Sequence, residues 1–98
     1  ELQRATIQLE EAMRIDQNSS EIKYSMGLVH LMRRNYVPAI ALLKGAIQGD
    51  PGNPDLYREL AKAYLAVSDK ENALKNLQLY EERAPDAPDL KDLQRQIQ

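Results

Sequence analysis

Cysteine is missing from the 98 residues of this sequence, and histidine occurs once, as His30. Without cysteine there is no disulfide framework and no thiol chemistry. A lone histidine cannot build one of the usual zinc ligand sets. No apolar run approaches the roughly 18 residues that a membrane-spanning helix needs. We therefore expect a soluble chain without membrane insertion, and the compartment stays open, with cytoplasm and bacterial periplasm both possible.

A large excess of one charge is also missing. Thirteen lysines and arginines face 15 aspartates and glutamates, the net charge is −2, and both signs are spread along the chain. A nucleic-acid-binding surface is expected to be strongly basic, so we predict no nucleic-acid partner. The apolar content of 43% and the charged content of 29% are typical of a folded globular chain. The length suits one small domain.

Groups of residues that carry catalysis are missing as well. The glycines are scattered singly, so the sequence contains no phosphate-binding loop. The adjacent acids Glu10 and Glu11, like Glu81 and Glu82, diverge on a helix and are interpreted as solvated faces. We therefore expect no catalytic residue, no cofactor and no metal site, and we interpret the chain as non-enzymatic.

The sequence does contain an internal repeat of 34 residues. Alanines recur at this interval as Ala5, Ala39 and Ala73, and leucines as Leu9, Leu43 and Leu77. Further matched pairs are Gly27 with Ala61, Leu31 with Leu65, and Pro51 with Pro85. A helix-length apolar pattern that recurs at this period is typical of stacked helical repeats.

The repeated residues resemble the tetratricopeptide repeat (TPR) family over most of the chain. The residues that carry this resemblance are Gly27, Ala39, Leu43, Ala46 and Pro51 in one unit and Ala61, Tyr64, Ala73, Leu77 and Pro85 in the next. The resemblance implies an all-α fold of antiparallel helical hairpins, stacked into a right-handed α-solenoid. It also implies a non-catalytic protein–protein interaction scaffold. His30 stands where the next unit has Tyr64, and we interpret it as packed between the helices of its unit.

Apolar spacing and capping residues predict five helices and a short sixth. Helices are expected over residues 1–16, 20–34, 54–67 and 88–98. Two more are expected to begin after the caps Asn35 and Ser68 and to end near Gln48 and Arg83. Gly49 is interpreted as a glycine stop. In the last helix Leu90, Leu93 and Ile97 form a narrow apolar stripe among polar residues, which is typical of a cap that ends a helical stack.

These helices predict a single domain over residues 1–98. Residues 1–19 are interpreted as the second half of a truncated repeat, 20–53 and 54–87 as full repeats, and 88–98 as the C-terminal cap helix. A chain that begins in mid-repeat is most simply a fragment of a longer protein, and a natural half-repeat cap is the alternative.

In this family the first helices of successive units line a concave groove that holds partners. The groove residues that the resemblance implies here are Tyr24, Leu28, Leu31, Met32, Arg58, Lys62 and Leu65. Tyr24, Leu28 and Met32 lie four apart and form an apolar ridge, beside a basic ridge with Arg58 and Lys62. This combination suits a protein or peptide partner that is acidic and amphipathic. Alternatively, an upstream helix covers the apolar ridge in the intact protein.

Other functions remain open at this point. One subclass of the family grips carboxylates with a lysine and an asparagine, but Tyr24 and Leu28 stand at those positions, so we reject that clamp. A structural role is the first alternative, with docking or self-association through the open N-terminal end. A regulatory module of a multidomain enzyme is a more distant one. The sequence does not indicate a partner or a pathway.

Overall fold

The computed structural model describes residues 2–15 and 19–97. This part of the chain forms six α-helices and no strand, as the sequence predicts for an all-α helical repeat. The helices are α1 (Leu2–Ile15), α2 (Ser20–Met32), α3 (Tyr36–Gly49), α4 (Pro54–Ala66), α5 (Lys70–Arg83) and α6 (Leu90–Ile97). None of these helices is long and apolar enough to cross a bilayer. The repeat member Leu9 is one of several α1 residues whose side chains lie outside the description.

The chain divides into two compact units, residues 1–51 and 52–98. The first unit contains α1, α2 and α3, and the second contains α4, α5 and α6. Within each unit, helices that follow one another in sequence pack together: α1 on α2 and α2 on α3, then α4 on α5 and α5 on α6. The proposed repeat bounds and the superhelical stacking of the repeats stay predictions.

In the first unit, small residues allow α2 and α3 to cross closely. A methyl group at Gly27 would lie 3.0 Å from both Cγ and Cδ2 of Leu43 and 3.5 Å from the backbone oxygen of Ala39. Ala39 and Leu43 are fully buried. Gly27 thus permits this close crossing, since a larger side chain would hold the two helices apart.

The second unit repeats this arrangement and adds the short helix. Ala61 of α4 and Ala73 and Leu77 of α5 are buried at the positions that correspond to Gly27, Ala39 and Leu43. Helix α6 packs on α5 and buries the predicted stripe of Leu90, Leu93 and Ile97. An eight-residue helix is too short to be stable by itself, so this packing holds it in place.

Two predicted helix ends extend too far, for the same physical reason. Helices α2 and α4 end at Met32 and Ala66. Arg34 and Ser68 then adopt the left-handed conformation, with φ of 62° and 63°. The N–H of the next residue closes the turn, from Asn35 to the oxygen of His30 at 2.8 Å and from Asp69 to that of Tyr64 at 2.9 Å. This is the Schellman motif.

The capping predictions are partly wrong. Ser68 belongs to the turn, and Asp69 is the N-cap of α5, where its carboxylate accepts from the N–H of Asn72 at 3.2 Å. Asn35 occupies the N-cap position of α3 but makes no side-chain cap hydrogen bond. Gly49 is the last residue of α3 and not a left-handed stop. Asn53 caps α4, accepting from the N–H of Asp55 at 3.0 Å, with Pro54 at the first helical position.

Candidate protein-interaction surfaces

The residues of the repeat signature form the core and its turns. The buried members are Gly27, Ala39, Leu43, Ala46, Ala61, Ala73 and Leu77. Tyr64 is half-buried, and Pro51 and Pro85 are exposed in the segments that follow α3 and α5. The buried members are not accessible to a partner, so any binding surface must come from other residues.

On α2, the predicted apolar ridge is unevenly exposed. Tyr24 and Leu28 are half-buried, as is the neighbouring groove residue Leu31, whereas the Met32 side chain at the end of the helix is 61% exposed. Helix α1 packs against α2 within the same unit. The ridge is therefore covered in part along its length, and Met32 is its open end.

On α4, the predicted basic ridge is paired with carboxylates of its own unit. Glu59 is nearly buried, with 7% of its side chain exposed, and its Oε1 lies 3.0 Å from Nη2 of Arg58 and 3.7 Å from Nζ of Lys62. The guanidinium of Arg58 also lies 3.4 Å from Asp89. Burial lowers the pKa of Arg58, but the charges of Glu59 and Asp89 outweigh this effect and raise it. The last predicted groove residue, Leu65, is half-buried.

Asp89 joins the three helices of the second unit. It immediately precedes α6, accepts a 2.7 Å hydrogen bond from the hydroxyl of Tyr80 on α5, and pairs with Arg58 on α4. Burial and, to a smaller extent, this hydrogen bond raise the pKa of Tyr80 to about 12. No local sequence pattern indicates this cluster, since Arg58 and Asp89 lie 31 residues apart.

The turn between α2 and α3 exposes residues that the sequence analysis did not select. Arg33 and Arg34 are exposed, and the side chain of Val37 is 77% exposed. A signal was available in the sequence, because no aspartate or glutamate occurs between Glu21 and Asp50. With Met32 these residues form a small surface that is both apolar and cationic.

The described residues offer few side chains that could form a metal site or carry out acid–base chemistry. They contain no group of three or more histidine, cysteine, aspartate or glutamate residues placed to hold a metal ion. His30 is half-buried, and within the described part of the chain its buried Nδ1 has no hydrogen-bond partner. It lies on α2, which packs against α1 and α3, and its packing between the helices of its unit stays a prediction.

Comparison with known proteins agrees with the helical repeat. Residues 30–97 match the family model described as tetratricopeptide repeat. The chain is 42% identical over 53 residues to the BBSome complex member BBS4 of Bos taurus and 40% identical over 57 residues to that of Xenopus tropicalis. These stretches cover 54% and 58% of this chain, but 10% and 11% of the relatives. The matched chain thus corresponds to about a tenth of their length.

Proposed function

The chain belongs to the tetratricopeptide repeat family, and on that premise we propose that it holds a peptide or helix of a partner protein against the first helices of its repeats. The family and the BBS4 relatives point to a non-enzymatic scaffold with a protein–protein interaction role. The predicted groove residues are the proposed location of this role. Those on α2 are Tyr24, Leu28, Leu31 and Met32, and those on α4 are Arg58, Lys62 and Leu65.

The exposure of Met32 is the observation that carries this proposal. Its side chain lies mostly in solvent beside the half-buried Leu28 and Leu31. The fold therefore leaves an apolar strip of α2 incompletely buried. Methionine adapts to partners of imperfect shape, and an amphipathic helix or peptide is the usual occupant of such a strip. On α4, Lys62 and Leu65 would supply the weaker contacts, because Arg58 is already held by Glu59 and Asp89.

The two curated relatives support a place in a larger assembly. Both are named as members of the BBSome complex. We infer that this chain is part of a subunit of a multiprotein assembly, in which the repeats contact a neighbouring subunit through the surfaces of α2 and α4.

A peptide-library selection on the immobilised chain tests the scaffold function, followed by fluorescence-anisotropy titration of the selected peptides. Met32→Lys should raise the dissociation constant at least about five-fold, because it places a charge in an apolar contact. It should change the free energy of unfolding by less than about 0.5 kcal/mol, since the side chain is exposed.

Leu74→Lys is the matched control, because Leu74 is also an exposed apolar residue but lies on the second helix of its hairpin. We expect it to leave the affinity within about two-fold. Failure to select any peptide would argue against the scaffold function. An equal loss of affinity in both variants would remove α2 as the binding surface.

Self-association through the N-terminal end is the second candidate, and it rests on Ile7. This side chain is 53% exposed on α1. Multi-angle light scattering over a range of concentrations would detect a dimer, and Ile7→Lys should then restore the monomer. A chain that stays monomeric at about 1 mM, where even weak association of about −4 kcal/mol would be visible, would eliminate this candidate.

A further inference from the structure

Residues 22–49, which form nearly all of the α2–α3 hairpin, carry charge of one sign, which the composition of the whole chain conceals. Between Glu21 and Asp50 there is no acidic residue, whereas Lys23, Arg33, Arg34 and Lys44 are basic. The prediction that both signs are spread along the chain is therefore wrong for this hairpin. The rest of the sequence compensates, since all 15 acidic residues lie outside that interval.

The turn of this hairpin presents two cations that are not paired within the described structure. Arg33 and Arg34 are exposed, and none of the described carboxylates lies within ion-pair distance of either guanidinium. Arg58 differs, since it contacts both Glu59 and Asp89. Arg33 and Arg34 are thus available to a partner, whereas Arg58 on α4 is held by carboxylates of its own unit.

Two strongly exposed apolar side chains flank these arginines. Met32 is 61% exposed and Val37 is 77% exposed, and they are the two most exposed large apolar side chains in the described part of the chain. Covering exposed apolar groups with a partner is favourable, by roughly 25 cal/mol for each Å² of apolar surface removed from water. Apolar and cationic groups therefore lie within six residues of one another.

The second unit shows that the fold does not require any of these four residues. It makes the same turn, with φ of 63° at Ser68 and the same pair of closing hydrogen bonds. At the positions 34 residues later it has Ala66, Val67, Ser68 and Glu71. Basic residues near a helix C-terminus can stabilise the helix dipole, but α4 ends in the same way without them.

We infer that the turn formed by Met32, Arg33, Arg34 and Val37 is a docking site for an acidic amphipathic segment of a partner protein. The inference rests on the proposed scaffold function and gives the acidic partner a different place from the basic ridge of α4. Guanidinium groups bind carboxylates with paired, charge-assisted hydrogen bonds. The flanking Met32 and Val37 cover the apolar side of the same segment. Attachment to an anionic membrane typically uses clusters of about four to eight basic residues, and the turn has two.

The test uses a fluorescent helical peptide with glutamates on one face and leucines on the adjoining face. A peptide of the same composition in scrambled order is the control for charge alone. The variant Arg33→Val/Arg34→Ser carries the residues of the second unit, which the same backbone accommodates. Lys75→Gln/Lys91→Gln is the matched control, since it removes the same number of charges from exposed positions of the second unit.

We expect the arginine variant to raise the dissociation constant of the peptide at least about ten-fold and the lysine control to change it less than about two-fold. Raising the salt from about 50 to about 500 mM should shrink the difference between the arginine variant and the parent chain, because screening weakens the lost contact. Met32→Ala/Val37→Glu should weaken binding as well.

Several results would overturn the docking site. These are a parent chain that does not bind the peptide, an arginine variant that binds as well as the parent, a lysine control that loses as much, or a scrambled peptide that binds equally. Binding to phosphatidylserine vesicles that depends on Arg33 and Arg34, without peptide binding, would assign the turn to lipid instead. Library peptides that bind without needing these arginines would refute the docking site and leave the scaffold function intact.

Discussion

The hydroxyl of Tyr80 donates a 2.7 Å hydrogen bond to the carboxylate of Asp89 and thereby joins α5 to the start of α6. The same carboxylate lies 3.4 Å from the guanidinium of Arg58 on α4. Leu90, Leu93 and Ile97 supply the apolar contact of α6. The polar contacts of Asp89 add a directional constraint at the start of this helix, because hydrogen bonds are directional and hydrophobic contact is not.

Removal of the hydrogen bond should destabilise the second unit. We expect Tyr80→Phe to lower the free energy of unfolding by about 1.5 kcal/mol, the lower end of the range for a hydrogen bond to a charged group, because Asp89 is partly exposed. In an Asp89→Ala background the same substitution should cost little, because the partner is gone. Urea unfolding of the two single variants and the double variant measures this coupling, and strictly additive costs would contradict it.

The pH dependence of stability should also report on the contact between Tyr80 and Asp89. Burial and the bond to Asp89 raise the pKa of Tyr80 from 10.0 to about 12, so the folded state favours the neutral phenol. This contribution is complete below pH 10 and is lost as the pH rises from 10 towards 12, because the unfolded chain loses the proton first. Urea unfolding from pH 8 to pH 12 should show a smaller decline for Tyr80→Phe than for the parent chain. Parallel curves would show that Tyr80 does not titrate differently in the two states.

Arg58 should contribute to the stability of the fold, because it is paired with Glu59 and Asp89 in its own unit. Arg58→Glu would place a third carboxylate beside Glu59 and Asp89, and we expect a loss of about 2–3 kcal/mol, less than for a fully buried pair because the side chain is one-third exposed. Lys62→Glu is the control and should cost under about 1 kcal/mol, since Lys62 is more exposed and 3.7 Å from Glu59. Thermal unfolding compares them, and equal losses would show that the two cations contribute alike.

The crossing of α2 and α3 should not tolerate a larger side chain. Ala39→Leu would overpack the contact with Gly27 and Leu43 and should cost about 1–3 kcal/mol. Ala41→Leu is the matched control on the exposed side of the same helix and should be close to neutral. If denaturant melts of both variants coincide with that of the parent, the assigned pairing of the two helices is wrong.

The two left-handed turn residues should be improved by glycine. Arg34→Gly and Ser68→Gly should each raise the free energy of unfolding by up to about 1 kcal/mol, because glycine adopts a positive φ without steric cost. Arg33 has a φ of −88°, so Arg33→Gly should be neutral or destabilising and serves as the control. Differential scanning calorimetry separates these outcomes, and destabilisation by Ser68→Gly would contradict the turn geometry.

Some features of the candidate surface could be predicted from the sequence and some could not. The spacing of Tyr24, Leu28 and Met32 identified an apolar face of α2, but not that Met32 alone would be strongly exposed. Arg58 and Lys62 were interpreted as cations available to a partner, yet both lie near Glu59. Glu59 adjoins Arg58 in sequence, and its near-complete burial is the property that a sequence pattern does not reveal. Whether a charge is available depends on which neighbours the fold brings to it.

The sequence by itself determined the 34-residue period, the presence of the helices and most of their apolar core positions, because these follow from local spacing: an apolar stripe every three to four residues and short capping motifs. Tertiary structure decided what local spacing cannot express. It brought Arg58 to Asp89 across 31 residues, and it set the burial of Glu59 and the exposure of Val37. The physical reason is range, since helix formation is governed by neighbours within one or two turns, whereas burial and ion pairing depend on residues that only folding brings close.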